Sequence, residues 1–231
     1  MFVKQYWVWC FITVLAGDTL ALAMQWYNGH FFLKLLLVPF LIIGLLGEKQ
    51  NSKEKNWRVI LGGLVVAWAG DTLLLFSKEM PLFFILGLIC FLFTHLTYII
   101  YFYRYKKGRG HWFSAHPIIT FLVILYAVLF LGFLMPGLGK LMYPVGLYTL
   151  VISIMLLQAL STQPYLPAVC SKYFVAGAMF FVASDSMLAW DKFASPFPFS
   201  EPLIIATYGV AQLMIVKGTI ANTDKTQRAK S

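Results

Sequence analysis

Charge is what this sequence has least of. Only nine of its 231 residues are acidic and charged residues make up 12% of it, where water-soluble domains carry about a quarter. Long polar connections are missing as well: the widest breaks between apolar stretches, at 48–56 and 104–111, leave no room for a second domain. Cysteine is scarce, and Cys10, Cys90 and Cys170 show no CxxC spacing, so they read as small core residues without metal or redox duty. Histidine is equally thin. His95 is the one that falls clearly inside an apolar run; His30 and His111 look like loop residues and His116 lies near an interface beside Pro117. That set speaks against a zinc-dependent intramembrane hydrolase, whose metal draws on several histidines.

What remains is 60% hydrophobic and 17% aromatic. Continuous apolar runs occupy 6–26, 31–47, 57–76, 81–103, 112–134, 138–160, 168–190 and 202–221, each near the length of about 20 residues that crosses a bilayer as a helix. None alternates in the way a barrel strand must. The expected fold is therefore all-α, an integral membrane bundle of about eight transmembrane helices. Residues 1–221 form one helical domain, followed by a polar, basic tail at 222–231, disordered or resting on the anionic inner leaflet. Turns are expected at Gly108-Arg109-Gly110, at Met135-Pro136-Gly137 and around Pro196-Phe197-Pro198.

The formal charge of +9 reports topology rather than a nucleic-acid partner. All of the 18 Lys and Arg except Lys34, Lys78, Lys140 and Lys192 fall at the amino terminus, the even-numbered connections or the tail. Eight crossings with both termini in the cytoplasm produce this asymmetry. The first run ends in Ala21-Leu22-Ala23 behind Lys4, like a signal-peptidase site, but Asp18 interrupts it and it is long for a signal core. Helix one is expected to remain in the mature protein. Since an all-helical bundle is foreign to a Gram-negative outer membrane, the expected location is the plasma (inner) membrane of a bacterium.

An ionisable residue inside a membrane helix costs about 2.5–3.5 kcal/mol, so each asks for a partner, a watery cavity or a function. The acidic ones are Asp18, Asp71 and Asp185, accompanied by Lys34, His95, Tyr98, Tyr208 and Gln212. All three aspartates lie late in odd-numbered helices and so share one leaflet. From the helical rise, Asp71 and Asp185 lie about 8 Å before the ends of their helices, Tyr208 about 9 Å into the last one, Gln212 one turn deeper and His95 about 20 Å into helix four. A pocket open to the non-cytoplasmic face would collect them. The plainer reading is that such residues glue helices together, or that Lys34 snorkels to the interface. Gly17-Asp18-Thr19-Leu20 recurs as Gly70-Asp71-Thr72-Leu73, an echo too short to establish a repeat.

At these residues the sequence resembles the YhhN-like family, whose characterised members are lysoplasmalogenases of bacterial and animal membranes. Gly70-Asp71-Thr72-Leu73-Leu74-Leu75 is similar to its Gly-Asp motif, Phe93-Thr94-His95-Leu96-Thr97-Tyr98 to the helix that follows, and the segment around Ser184-Asp185-Ser186 to its Ser-Asp segment. Lys192-Phe193, Phe197-Pro198 and Thr207-Tyr208-Gly209-Val210-Ala211-Gln212 follow in order, with Tyr143, Gly146 and Tyr148 between the acidic motifs. Lys34 and Pro39 stand further apart than the family's Lys and Pro.

The resemblance implies hydrolysis of the vinyl-ether bond of a lysoplasmalogen, giving a fatty aldehyde and glycerophospho-ethanolamine or glycerophospho-choline without a cofactor. Protonation of the β-carbon yields an oxocarbenium ion that water captures as a hemiacetal, chemistry that suits two carboxyl groups as it does in glycosidases. Asp71 and Asp185 would then be acid and base, in either assignment. His95, Tyr98, Tyr208 and Gln212 would orient water and glycerol oxygens, Lys34 would meet the phosphate, and Asp18 would complete the substrate-binding set. The rival readings are a proton-coupled transporter, whose broken helices the glycines and prolines here do not mark well, and a lipid-binding bundle.

Overall fold

The computed structural model describes residues 6–49, 55–106 and 112–228. Among them are nine α-helices: α1 (Tyr6–Ala23), α2 (Tyr27–Lys49), α3 (Trp57–Leu75), α4 (Pro81–Lys106), α5 (Trp112–Ala115), α6 (Pro117–Leu138), α7 (Met142–Leu160), α8 (Ala168–Phe193) and α9 (Ser200–Arg228). A single 3₁₀ turn, Gly139–Leu141, joins α6 to α7. The chain is an all-α, multi-pass membrane protein, with seven helical runs long and apolar enough to cross a bilayer. One of them, Pro117–Leu160, is 44 residues long and turns back on itself at Gly139, so that Leu134, Leu138 and Val145 pack together.

Neighbouring helices form the hairpins α1–α2, α3–α4 and α8–α9, and α9 runs against α1, α2, α3 and α8. Its central place follows from its side chains: Ile205, Tyr208, Ala211, Gln212, Ile215 and Val216 are all buried. By contrast α6 lies outside, touching α7 and α8, and presents Ile118, Phe121, Leu122, Val128 and Leu129 outward. That is tolerable only where the surroundings are hydrocarbon.

Two glycines let α3 and α4 approach at the level of the site. A Cβ on Gly70 would lie 3.3 Å from the carbonyl oxygen of Gly87 and 3.1 Å from Cβ of Cys90, so backbone packs on backbone next to Asp71.

Five expectations are corrected. The turn foreseen at Met135-Pro136-Gly137 falls later: Pro136 lies inside α6, and Gly139, at φ +50°, makes the break, because glycine accepts a left-handed backbone at no steric cost. The run from Trp112 is divided at Pro117, which stands at the first turn of α6 and disfavours a helical residue before it. The helix does not stop at Asn222, since α9 continues to Arg228. His30 is no loop residue but part of α2. Cys170 is buried and Cys90 half-buried, but Cys10 is exposed on the outside of α1. His111 and the turn expected at Gly108-Arg109-Gly110 lie outside the described residues.

Candidate functional site

Asp71 sits one turn before the end of α3, at 1% exposure. The Tyr208 hydroxyl donates to its Oδ2 over 2.7 Å, and the Lys34 ammonium stands 4.0 Å from its Oδ1. The network continues inward. Gln212, one helical turn beyond Tyr208 on α9, donates from Nε2 to the Tyr208 oxygen at 3.2 Å, and its Oε1 accepts the Tyr98 hydroxyl at 2.7 Å. Tyr98 and Gln212 are fully buried, so these bonds replace water that neither group can reach.

A second network surrounds Asp185 on α8. Its Oδ2 accepts the Tyr148 hydroxyl from α7 at 2.6 Å and lies 3.1 Å from His95 Nε2; the same nitrogen is 3.0 Å from the Tyr148 oxygen. Tyr148 spends its one hydrogen on the carboxylate, so Nε2 carries the ring hydrogen and donates toward both oxygens. In the neutral ring Nδ1 is then a bare acceptor, buried and without a hydrogen-bond partner among the described residues.

Phe181 ties the two networks together, with ring centroids 5.2 Å from His95, 5.9 Å from Tyr98 and 5.8 Å from Tyr208. Among the described residues no hydrogen bond or ion pair joins Asp71 directly to Asp185. The two carboxyls are thus separate acceptors, each with its own tyrosine, and Phe181 packs against side chains of both networks.

Asp18 belongs to a third pair. Its Oδ1 is 2.6 Å from His30 Nδ1 on α2, and its Oδ2 is buried without a hydrogen-bond partner among the described residues. All eight residues expected at the site are therefore placed in three neighbouring clusters, which reach from Asp71, one turn before the end of α3, to Tyr98 and Gln212 in the middle stretches of α4 and α9. Sequence reasoning missed Tyr148 as a site residue and took His30 for a loop. Tyr148 sits less than two turns into α7, the same depth logic that singled out Tyr208, and this was the signal available. Among the described residues no group of three or more His, Cys, Asp or Glu is disposed to hold a metal ion.

The clusters combine buried proton donors and acceptors with apolar walls, an arrangement that can protonate a carbon and steer a water molecule. Comparison with known proteins points the same way. The YhhN family model matches residues 29–219. The chain is 30% identical over 169 residues to "Lysoplasmalogenase TMEM86A" of Bos taurus, covering 71% of this chain and 66% of that protein. It is 31% identical over 162 residues to "Lysoplasmalogenase TMEM86B" of Homo sapiens, covering 68% and 62%. The chain thus spans slightly less than two thirds of the length of these relatives. No solved structure matches it.

Proposed function

Because the chain belongs to the YhhN family, we propose that it hydrolyses the vinyl-ether bond of a lysoplasmalogen within the membrane, releasing a fatty aldehyde and a glycerophospho-ethanolamine or glycerophospho-choline. The observation that carries this reading is the presence of two inward carboxyls, Asp71 and Asp185, each bonded to a tyrosine, with Phe181 packed against Tyr208 of one network and His95 of the other. Relatives named lysoplasmalogenases support the choice of substrate.

In this mechanism Asp71 gives its proton to the β-carbon of the vinyl ether, leaving an oxocarbenium ion beside two carboxylates. Asp185 is the base, because its Oδ2 already receives two donors while Oδ1 remains free to take a proton from water. That water adds its oxygen to the cationic carbon and its proton goes to Asp185. The resulting hemiacetal collapses to aldehyde and alcohol, its hydroxyl proton passing to the departing glycerol oxygen, and the proton gained by Asp185 returns to Asp71 to reset the pair. His95 offers its bare Nδ1 to the same water, while Tyr208, Gln212 and Tyr98 hold Asp71 in place. Lys34, 4.0 Å from Asp71, faces the phosphate of the headgroup, and the aliphatic chain lies among the apolar side chains between helices.

The bundle crosses eight times, with both termini cytoplasmic and residues 222–231 in the cytoplasm, in the plasma membrane of a bacterium. The distribution of Lys and Arg supports this orientation.

The test is aldehyde release from a lysoplasmalogen by the purified protein in detergent, for wild type, Asp71→Asn and Asp185→Asn, each with and without a chelator. The expected result is release by wild type that survives the chelator and is abolished by either substitution in a folded protein. A folded wild type that releases no aldehyde from either headgroup class overturns the proposal.

A further inference from the structure

The pair Asp18–His30 is not used in that mechanism, yet it places two ionisable groups where hydrocarbon-facing helices rarely keep them. Asp18 is fully buried, whereas the His30 side chain retains 14% exposure. Its Nδ1 lies 2.6 Å from Asp18 Oδ1 and its Nε2 has no hydrogen-bond partner among the described residues. Joining α1 to α2 alone would not require this pair, since apolar packing joins helices without the cost of about 2.5–3.5 kcal/mol that a charged residue carries at a helix centre. Lys34 follows His30 by one helical turn on the same face of α2 and reaches toward Asp71.

We propose that His30, held by Asp18, binds the phosphate of the lysophospholipid together with Lys34. The inference rests on the hydrolase reading for the identity of the lipid. In that lipid the phosphorus follows the vinyl-ether oxygen after three glycerol carbons and one ester oxygen, a reach comparable to one helical turn, about 5.4 Å. With the ether at Asp71, the phosphate falls beside Lys34 and the preceding turn of α2, which carries His30. With a proton on each nitrogen, the ring gives Nδ1–H to Asp18 and Nε2–H to a phosphate oxygen. Asp18, buried with one oxygen lacking a hydrogen-bond partner among the described residues, repels any anion that does not engage His30 and Lys34, so phosphate recognition depends on both cations. His30 is the binding residue and Asp18 the positioning residue behind it.

The test uses lipids that the enzyme cannot cleave: a saturated 1-alkyl lysophospholipid with a phosphocholine headgroup, and the corresponding phosphate-free 1-alkylglycerol. Binding to the full chain in detergent is followed by tryptophan fluorescence. Wild type is expected to prefer the phosphate-bearing lipid by about tenfold or more. His30→Gln should reduce that preference to about threefold or less while leaving affinity for the alkylglycerol unchanged. Asp18→Asn should act in the same direction, and His30→Arg should restore the preference.

An unchanged preference in folded His30→Gln, or an equal loss for both lipids, overturns the proposal. Should that variant fail to fold, wild type decides by peptide-level modification with diethyl pyrocarbonate. The phosphate-bearing lipid should protect His30 and the alkylglycerol should not; equal protection overturns the proposal. Phosphate preference without aldehyde release from a true lysoplasmalogen sinks the hydrolase reading alone, and aldehyde release without phosphate preference sinks this one alone.

Discussion

Tyr208 on the last long helix donates its hydroxyl to Asp71 on the third, 2.7 Å away across 137 positions of sequence. Both are buried, so the bond orients the carboxyl and satisfies one of its oxygens. Tyr208→Phe keeps the ring against Phe91 and Phe181 but removes this donor. Aldehyde release is expected to fall by about 10- to 100-fold, the equivalent of about 1–3 kcal/mol for a buried acceptor left bare. Steady-state rates and thermal unfolding, measured together, separate this from loss of fold.

His95 and Tyr148 share Asp185 Oδ2 and should act as a unit. His95→Gln and Tyr148→Phe are each expected to lower kcat by at least about tenfold, and the double substitution by clearly less than the product, with a coupling of about 0.5–3 kcal/mol. A double-mutant cycle on kcat checks this; strict additivity would show that the two side chains do not serve the same carboxylate.

The close approach of α3 and α4 at Gly70 and Gly87 leaves little space for a side chain. Gly70→Val would press on the Gly87 carbonyl and on Phe91, and is expected to destabilise the bundle by about 1–3 kcal/mol. Because residue 71 moves with residue 70, activity should fall further than stability alone explains. Thermal unfolding of the variant beside its specific activity at a temperature where it remains folded tests both parts.

Lys78, in the turn between α3 and α4, pairs with Glu201 at 2.8 Å. The hydrogen bond to Glu201 holds its amine above the usual value of 10.5. A raised lysine contributes its stability fully below its unfolded value and loses it as pH rises through the folded one. The stabilisation should thus persist through neutral pH and fade at alkaline pH above about 10.5. Both side chains are exposed, so Lys78→Met should shift stability by no more than about 1 kcal/mol, and less in high salt. Melting temperature against pH and salt for wild type and variant provides the measurement.

Reading the sequence went furthest where lipid imposes a single-residue rule. Asp71, Asp185, His95, Tyr98, Tyr208 and Gln212 stood out because each is polar inside an apolar run, and the structure brings all of them into two linked networks. Tyr148 escaped because tyrosine is also ordinary at a membrane interface and nothing local distinguishes it from Tyr143, which is 86% exposed on the same helix. His30 escaped because it lies just after the short α1–α2 connection, where a local reading places a loop. The break at Gly139 was displaced because Pro136 is a strong local signal that helix packing overrode, leaving the reversal to a glycine with positive φ.

The sequence by itself determined the all-α class, the membrane as solvent and the short menu of intramembrane polar residues, because the cost of exposing a backbone or charged group to hydrocarbon is paid residue by residue and needs no partner to be known. Only the tertiary structure decided which of those residues meet. A hydrogen bond depends on distances of a few tenths of an ångström between helices far apart in the chain, and helix rotation, crossing and close glycine contacts set those distances. Hence the aspartates at similar depth do not pair with one another: Asp71 faces Tyr208 and Lys34, Asp185 faces Tyr148 and His95, and Asp18 faces His30.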